Sequence, residues 1–211
     1  MENIAVLTGD LIDSTAAAPA DLERAMQALG QAAAALSGWI GTDTRFTRFR
    51  GDGWQLYLAN PKLVLRATIF LIAFLRAADT GLATRLSIAT GPYETLGATG
   101  LAAASGKAFM LSGRNLDQMG KSYRHMVFAS PQGPLHFFQS AVMDLVFRQA
   151  SLWTREQAEA AALALTPNPP TQEHLAQRLG ITRQAVQARL KGAGFAALSP
   201  ALLAFELREK P

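Results

Sequence analysis

Between Thr171 and Leu190 the chain carries two short amphipathic stretches around a single glycine: Thr171-Gln172-Glu173-His174-Leu175-Ala176-Gln177-Arg178-Leu179-Gly180-Ile181-Thr182-Arg183-Gln184-Ala185-Val186-Gln187-Ala188-Arg189-Leu190. No other segment limits the possible folds so tightly. Thr171 follows prolines and reads as an N-cap, and Leu175, Ala176 and Leu179 form an apolar stripe at helical spacing. Gly180 supplies the positive φ that ends a first helix. Ile181 tucks into a core and Thr182 caps a second helix, with Val186 and Leu190 one turn apart on its inner side. Arg183, Gln184, Gln187 and Arg189 are left mainly outside. A preceding helix from Thr154 to Leu165 supplies a third wall, and Trp153 and Phe195 close the core. The pattern predicts a small all-α helix-turn-helix region over 151–211, with a boundary near Ser151. The break Thr166-Pro167-Asn168-Pro169-Pro170 precedes its last module.

In a helix-turn-helix the second helix lies in the major groove, and side chains near its N-terminus meet base edges. Arginine pairs bidentately with guanine and glutamine with adenine. Gln172, opening the first helix, is placed to approach a phosphate. The expected DNA contacts are therefore Gln172, Thr182, Arg183, Gln184, Gln187 and Arg189. A net charge of +4 and an isoelectric point near 9.8 permit such binding without demanding it. Two alternatives stay open: a basic helical hairpin, and a helix-turn-helix that only contacts protein. The segment resembles the helix-turn-helix of many bacterial regulators and of sigma factors.

Upstream, the apolar run Ile4–Leu7 reads as a buried strand that delivers Asp10 at its end. Pro19 to about Ser37 is an Ala-rich helix with Leu22, Met26, Leu29 and Ala33 on one face. Phe46–Arg50 and Trp54–Leu58 alternate around Gly51-Asp52-Gly53, which predicts a hairpin with the Asp-Gly pair in its turn. Asn60-Pro61 opens an apolar helix through Leu75. Ala83–Ala89 is a strand, Glu94–Gly106 a loop, Lys107–Met119 a helix, Arg124–Ala129 a strand and His136–Ser151 a helix, with a turn at Ser130-Pro131-Gln132-Gly133-Pro134 between the last two. This order predicts an α+β sandwich over 1–150, with helices on one face of an antiparallel sheet.

With 49% hydrophobic and 17% charged residues, the chain has a globular composition. It has no cysteine, which rules out disulfides and thiolate metal sites and suggests a reducing compartment. The N-terminus lacks a basic leader, and the most apolar stretch, Ala67–Leu75, is far below the roughly 18 residues a membrane span needs. The expectation is a cytoplasmic protein with no membrane contact.

Asp10 and Asp52, at a strand end and a hairpin tip of one sheet, can converge on a cation, and such oxygen ligands suit Mg²⁺ or Mn²⁺. Asp13 reads more readily as a turn cap than as a third acid, and Lys107 and Lys121 as solvated lysines that could meet phosphate. His125 and His136 have no ligand-spaced partner. Gly113 suggests close helix packing, and Phe109, Met110 and Leu111 suggest core or interface.

Four motifs in order are similar to those of class III nucleotidyl cyclase catalytic domains. They are Gly9-Asp10-Leu11-Ile12-Asp13-Ser14, Arg48-Phe49-Arg50-Gly51-Asp52, Ala89-Thr90-Gly91-Pro92 and Gly106-Lys107-Ala108-Phe109-Met110-Leu111-Ser112-Gly113-Arg114. The whole arrangement, including Trp153-Thr154-Arg155-Glu156-Gln157-Ala158-Glu159 and the tail, resembles bacterial proteins described as SatD-like or cyclase-like regulators. The resemblance implies a ferredoxin-like sandwich in a head-to-tail homodimer. It implies metal binding by Asp10 and Asp52, a nucleoside triphosphate contact from Arg48 and a transition-state role for Arg114, and Lys107 is the further candidate for a contact with that triphosphate. The family's transition-state asparagine falls on Met110, its purine-selecting lysine on Arg48 and its purine-selecting aspartate on Ala103. The expected function is a DNA-binding regulator that senses a nucleotide-type ligand with a divalent metal. An active cyclase or other phosphotransfer enzyme, and an inert dimerisation scaffold, are the alternatives.

Overall fold

The first strand decides the architecture because both of its faces are apolar. In the computed structural model, which describes residues 3–39, 43–98, 100–119, 125–130 and 135–207, β1 spans Asn3–Leu11. Ala5, Leu7 and Leu11 join one hydrophobic core, while Ile4 and Val6 join a second on the opposite side. A strand buried on both faces needs a layer over each, which is what an unbroken apolar run signals.

Four more strands complete the sheet: β2 (Thr44–Phe49), β3 (Gly53–Leu58), β4 (Thr84–Pro92) and β5 (Met126–Ala129). Their order is β2-β3-β1-β4-β5. β1 runs antiparallel to β3 and β4, β2 antiparallel to β3, and β5 parallel to β4. The sheet is thus mixed rather than wholly antiparallel. Helices α1 (Pro19–Ser37), α2 (Val64–Ala77) and α4 (Leu135–Ser151) contribute to the larger core. Helix α3 (Lys107–Met119) covers the other face through Ala108 and Phe109. The expectation of helices on one face is corrected accordingly: Ile4, Val6 and Tyr57 are buried, and α3 with its preceding loop is what buries them. Lys121, Arg124 and the predicted turn at 131–134 lie outside the described residues.

The β2–β3 connection also differs from expectation. Arg50 and Gly51 take left-handed φ values of 51° and 85°, and Asp52 completes a three-residue loop. Gly53, predicted as part of the turn, is instead the buried first residue of β3. A Cβ there would lie 2.6 Å from the Phe49 ring, so the glycine serves a close approach rather than the turn itself.

The C-terminal region is all-α: α5 (Arg155–Ala164), α6 (Gln172–Leu179), α7 (Arg183–Gly192) and α8 (Phe195–Glu206). The sequence pattern marks no helix beyond Phe195. Pro200 obscures α8, yet Leu198, Leu202 and Phe205 recur at helical spacing and are all buried. The large core runs through the predicted boundary at Ser151: Trp153, Ala158, Ala161, Leu165, Leu198, Leu202 and Phe205 belong to the same cluster as α2. A largely buried ion pair reinforces this junction. Arg66 of α2 donates to Glu206 of α8 at 2.6 and 3.0 Å and to the Leu165 carbonyl at 2.8 Å.

Candidate functional site

The first candidate is the α6–α7 pair. The Thr171 hydroxyl accepts the His174 amide at 3.3 Å, and the Thr182 hydroxyl accepts the Ala185 amide at 3.2 Å, so both helices start on threonine caps. Gly180 sits at φ 65°, ψ 31°, and the Ile181 amide returns to the Ala176 carbonyl at 3.0 Å. These left-handed and back-bonded residues fix the sharp turn. Leu175, Ala176, Val186 and Ala164 form the small core beneath, flanked by Leu163, Leu179, Ile181, Leu190 and Phe195. Trp153 does not close this core as expected. It is buried in the larger one, where its indole donates to the Ala193 carbonyl at 2.9 Å.

The side chains predicted to face outward divide into two groups. Thr182, Arg183, Gln184 and Gln187 are exposed on the first turns of α7, and Gln172 is half-buried at the start of α6. Arg183 makes an ion pair with Glu173 at 3.2 Å, but both side chains are well exposed. Such a pair contributes about 0–1 kcal/mol and yields easily to another partner. Arg189 turns the other way. It is half-buried and reaches back 3.4 Å to Glu159 of α5, so here it anchors α7 rather than facing solvent. Arg178 and Lys191 add exposed positive charge that the sequence reading did not single out.

The second candidate lies at the end of β1. Strand alternation puts Asp10 on the α3 side of the sheet, directly opposite Gly53 on β3 and Arg85 on β4. Arg85 binds it in a fork: Nε donates to Oδ1 at 2.9 Å and Nη2 to Oδ2. The hydrogen bond to Asp10 is the main reason the Arg85 guanidinium is held above its ordinary pKa; burial opposes this, and the charges of Asp10 and Asp52 add to it. Asp52 accepts from the Ser14 hydroxyl. The two acids do share one neighbourhood, but Arg85 already supplies its positive charge. A divalent cation would have to displace that guanidinium from both Asp10 oxygens. The arrangement as it stands therefore does not fit the metal that the cyclase resemblance implies.

The remaining predicted residues are dispersed. Arg48 lies on the opposite face of the sheet by alternation, pairing with Glu23 of α1 at 2.6 Å and donating to the Gly51 carbonyl. Lys107 is the exposed first residue of α3, and Arg114 is exposed further along the same helix. Asp13 is an exposed turn residue at φ 56° with no side-chain capping bond. Phe109 is buried and Leu111 half-buried, whereas Met110 is exposed. Gly113 faces open space, so the expectation of close packing there is not met. His125 is exposed, and His136 lies 5.6 Å from the Phe128 ring.

The Gly/Ala-rich loop folds back as a flap closed by a Thr95–Ser105 bridge. Arg45 donates to the Gly97 carbonyl at 3.0 Å, and the Leu101 amide donates to the Thr47 hydroxyl at 3.1 Å. Between this loop and α3 lies an open, mainly apolar cleft of about 470 Å³, lined among others by Phe49, Gln55, Leu101, Phe109 and Met110. No sequence motif marks the cleft directly. The sign for Arg85 was there to be read: it is the one charged residue in an otherwise uncharged strand.

No family model matches this chain, and a search of curated proteins finds no match. Among the described residues, no helix is long and apolar enough to cross a membrane.

Proposed function

We propose that this protein is a DNA-binding transcriptional regulator. In this reading α6 and α7 form a helix-turn-helix, α7 enters the major groove, and the α/β region is the sensing part. The observation that carries it is the α6–α7 turn. Two threonine-capped helices meet at a left-handed glycine, and Arg183, Gln184 and Gln187 stand exposed on the opening turns of the second.

The interleaved β1-α1-β2 and β3-α2-β4 units, with β1 and β3 adjacent at the centre, support reading the α/β region as a ferredoxin-like, cyclase-type sandwich. Its ligand is a nucleotide-type molecule whose base lies in the apolar cleft beside Phe49 and Met110. Because Arg85 occupies Asp10, this reading assigns no resident metal to the acid pair.

An electrophoretic mobility assay with the double variant Arg183→Ala/Gln184→Ala tests the DNA reading. Each bidentate base contact contributes about 1–3 kcal/mol of discrimination, so the variant should lose at least about tenfold in specific affinity. Its folding should be unaffected, since both side chains are exposed. Unchanged affinity and sequence preference would refute the assignment.

A further inference from the structure

Helix α4 is apolar on two opposite sides. Met143, Val146, Phe147 and Ala150 face inward and are buried in the large core. On the outer side Phe137, Phe138 and Leu145, with Leu152 in the turn that ends the helix, are 77%, 72%, 73% and 62% exposed. Asp144 and Arg148 are the only charged residues between Leu135 and Ser151. A helix that is apolar all round belongs inside a larger core, and among the described residues only one of its two sides has a layer against it.

The outer residues have a spacing that fits a copy of themselves. Phe138, Leu145 and Leu152 are seven residues apart, which keeps them on one side of the helix. If two copies of α4 cross antiparallel about a two-fold axis at Leu145, Leu145 meets its own counterpart. Phe138 then meets Leu152 of the other copy, twice over, as a closed isologous contact requires. The area matches a small dimer contact. At the size of such side chains the four exposed residues present on the order of 500 Å² per copy, or about 1,000 Å² for the pair when all of it is covered, which is the threshold for a biological contact and marks a small interface.

We propose that the outer face of α4 is a homodimer interface, with a second copy of this chain packed antiparallel across Leu145. This deepens the regulator reading, which needs paired recognition helices for a two-fold DNA site. It uses a different surface from the Arg114-bearing helix that the cyclase resemblance places at a shared site.

Because the chain has no cysteine, single introduced cysteines report the geometry directly. Under mild oxidation Leu145→Cys should form a disulfide-linked dimer. Phe138→Cys should not: its counterpart would lie 14 residues away along the paired helices, about 21 Å, against the roughly 4.4–6.8 Å Cα separation a disulfide allows. Mixing Phe138→Cys with Leu152→Cys should restore the cross-link. In sedimentation, the wild-type chain should run as a dimer and Leu145→Glu as a folded monomer with an unchanged circular dichroism spectrum. Cross-linking by Phe138→Cys alone, or a dimer that survives Leu145→Glu, would overturn the proposal. All of these measurements are made without DNA, so failure of the DNA-binding reading would show separately, in the mobility assay.

Discussion

Replacing Arg85 with methionine separates two accounts of the acid pair. The substitution keeps an unbranched stem on β4 and removes the fork that both Asp10 oxygens accept. The two side chains are 29% and 24% exposed, so the pair is only partly screened by water. Losing charge-assisted bonds in such a setting costs about 1.5–3 kcal/mol. For a chain of this size each kcal/mol lowers Tm by about 2–4 °C, giving a fall of about 3–12 °C. The same change leaves Asp10 and Asp52 without their resident cation, and two carboxylates in one neighbourhood attract Mn²⁺. At about 100 times its dissociation constant, Mn²⁺ should return about 2.7 kcal/mol to the variant. The assay is thermal unfolding of wild type and Arg85→Met across a Mn²⁺ titration. The expected result is a metal-dependent recovery in the variant and no shift in wild type. An equal shift in both proteins would mean that Arg85 does not stand in the cation's way. No shift in the variant would mean that the acids are not aimed at a common point.

Three further outcomes follow from the packing. Gly9→Ala would put a Cβ 2.5 Å from the buried Trp54 ring and 2.6 Å from the Arg85 carbonyl, so it should cost about 1–3 kcal/mol or more in urea unfolding; a neutral result would contradict this packing. Arg66→Ala strands Glu206 at the α2–α8 junction and should cost about 3–5 kcal/mol, whereas Arg66→Met/Glu206→Leu should recover much of it; equal losses in both would show that the pair is not the cause. The Glu156 carboxyl lies below its ordinary value of 4.5 because backbone and Thr154 hydrogen bonds favour the carboxylate. Its support of the α5 start is therefore present above that value and lost as pH falls through the lowered one. An NMR titration should give a midpoint under 4.5, and a midpoint at or above it would refute the capping role.

The local signals carried the fold further than they carried the site. Caps and breakers act within a few residues, which is why Thr154, Thr171, Thr182 and Gly180 marked helix ends accurately. Lys107–Met119 appeared as read, for the same reason. What failed depended on residues distant in sequence. The second layer over the sheet follows from Ile4 and Val6 meeting α3, about a hundred positions away. The Asp-Gly pair looked like a turn, but the Phe49 ring requires a glycine at position 53 for a different reason. Asp10 was legible as a strand-end acid, whereas its partner depends on the β1–β4 register, which pairs residues 10 and 85. Arg48 sits one strand step from Phe49, and that parity alone sends it to the far side of the sheet. Arg189 followed the outward helical pattern only until Glu159 of α5 came within reach.

The indole of Trp153 gives the continuous core a thermodynamic meaning. Its N–H donates to the Ala193 carbonyl just after α7, and the backbone carbonyl of Trp153 accepts from Arg76 of α2, so α2 and α7 are tied through one residue. Together with the shared core, this predicts that α2 and α7 unfold together, which hydrogen exchange would report as a common opening free energy. Any change that tightens the α/β region should then lower the opening frequency of α7 without moving it, so the two regions are coupled through fluctuation rather than displacement.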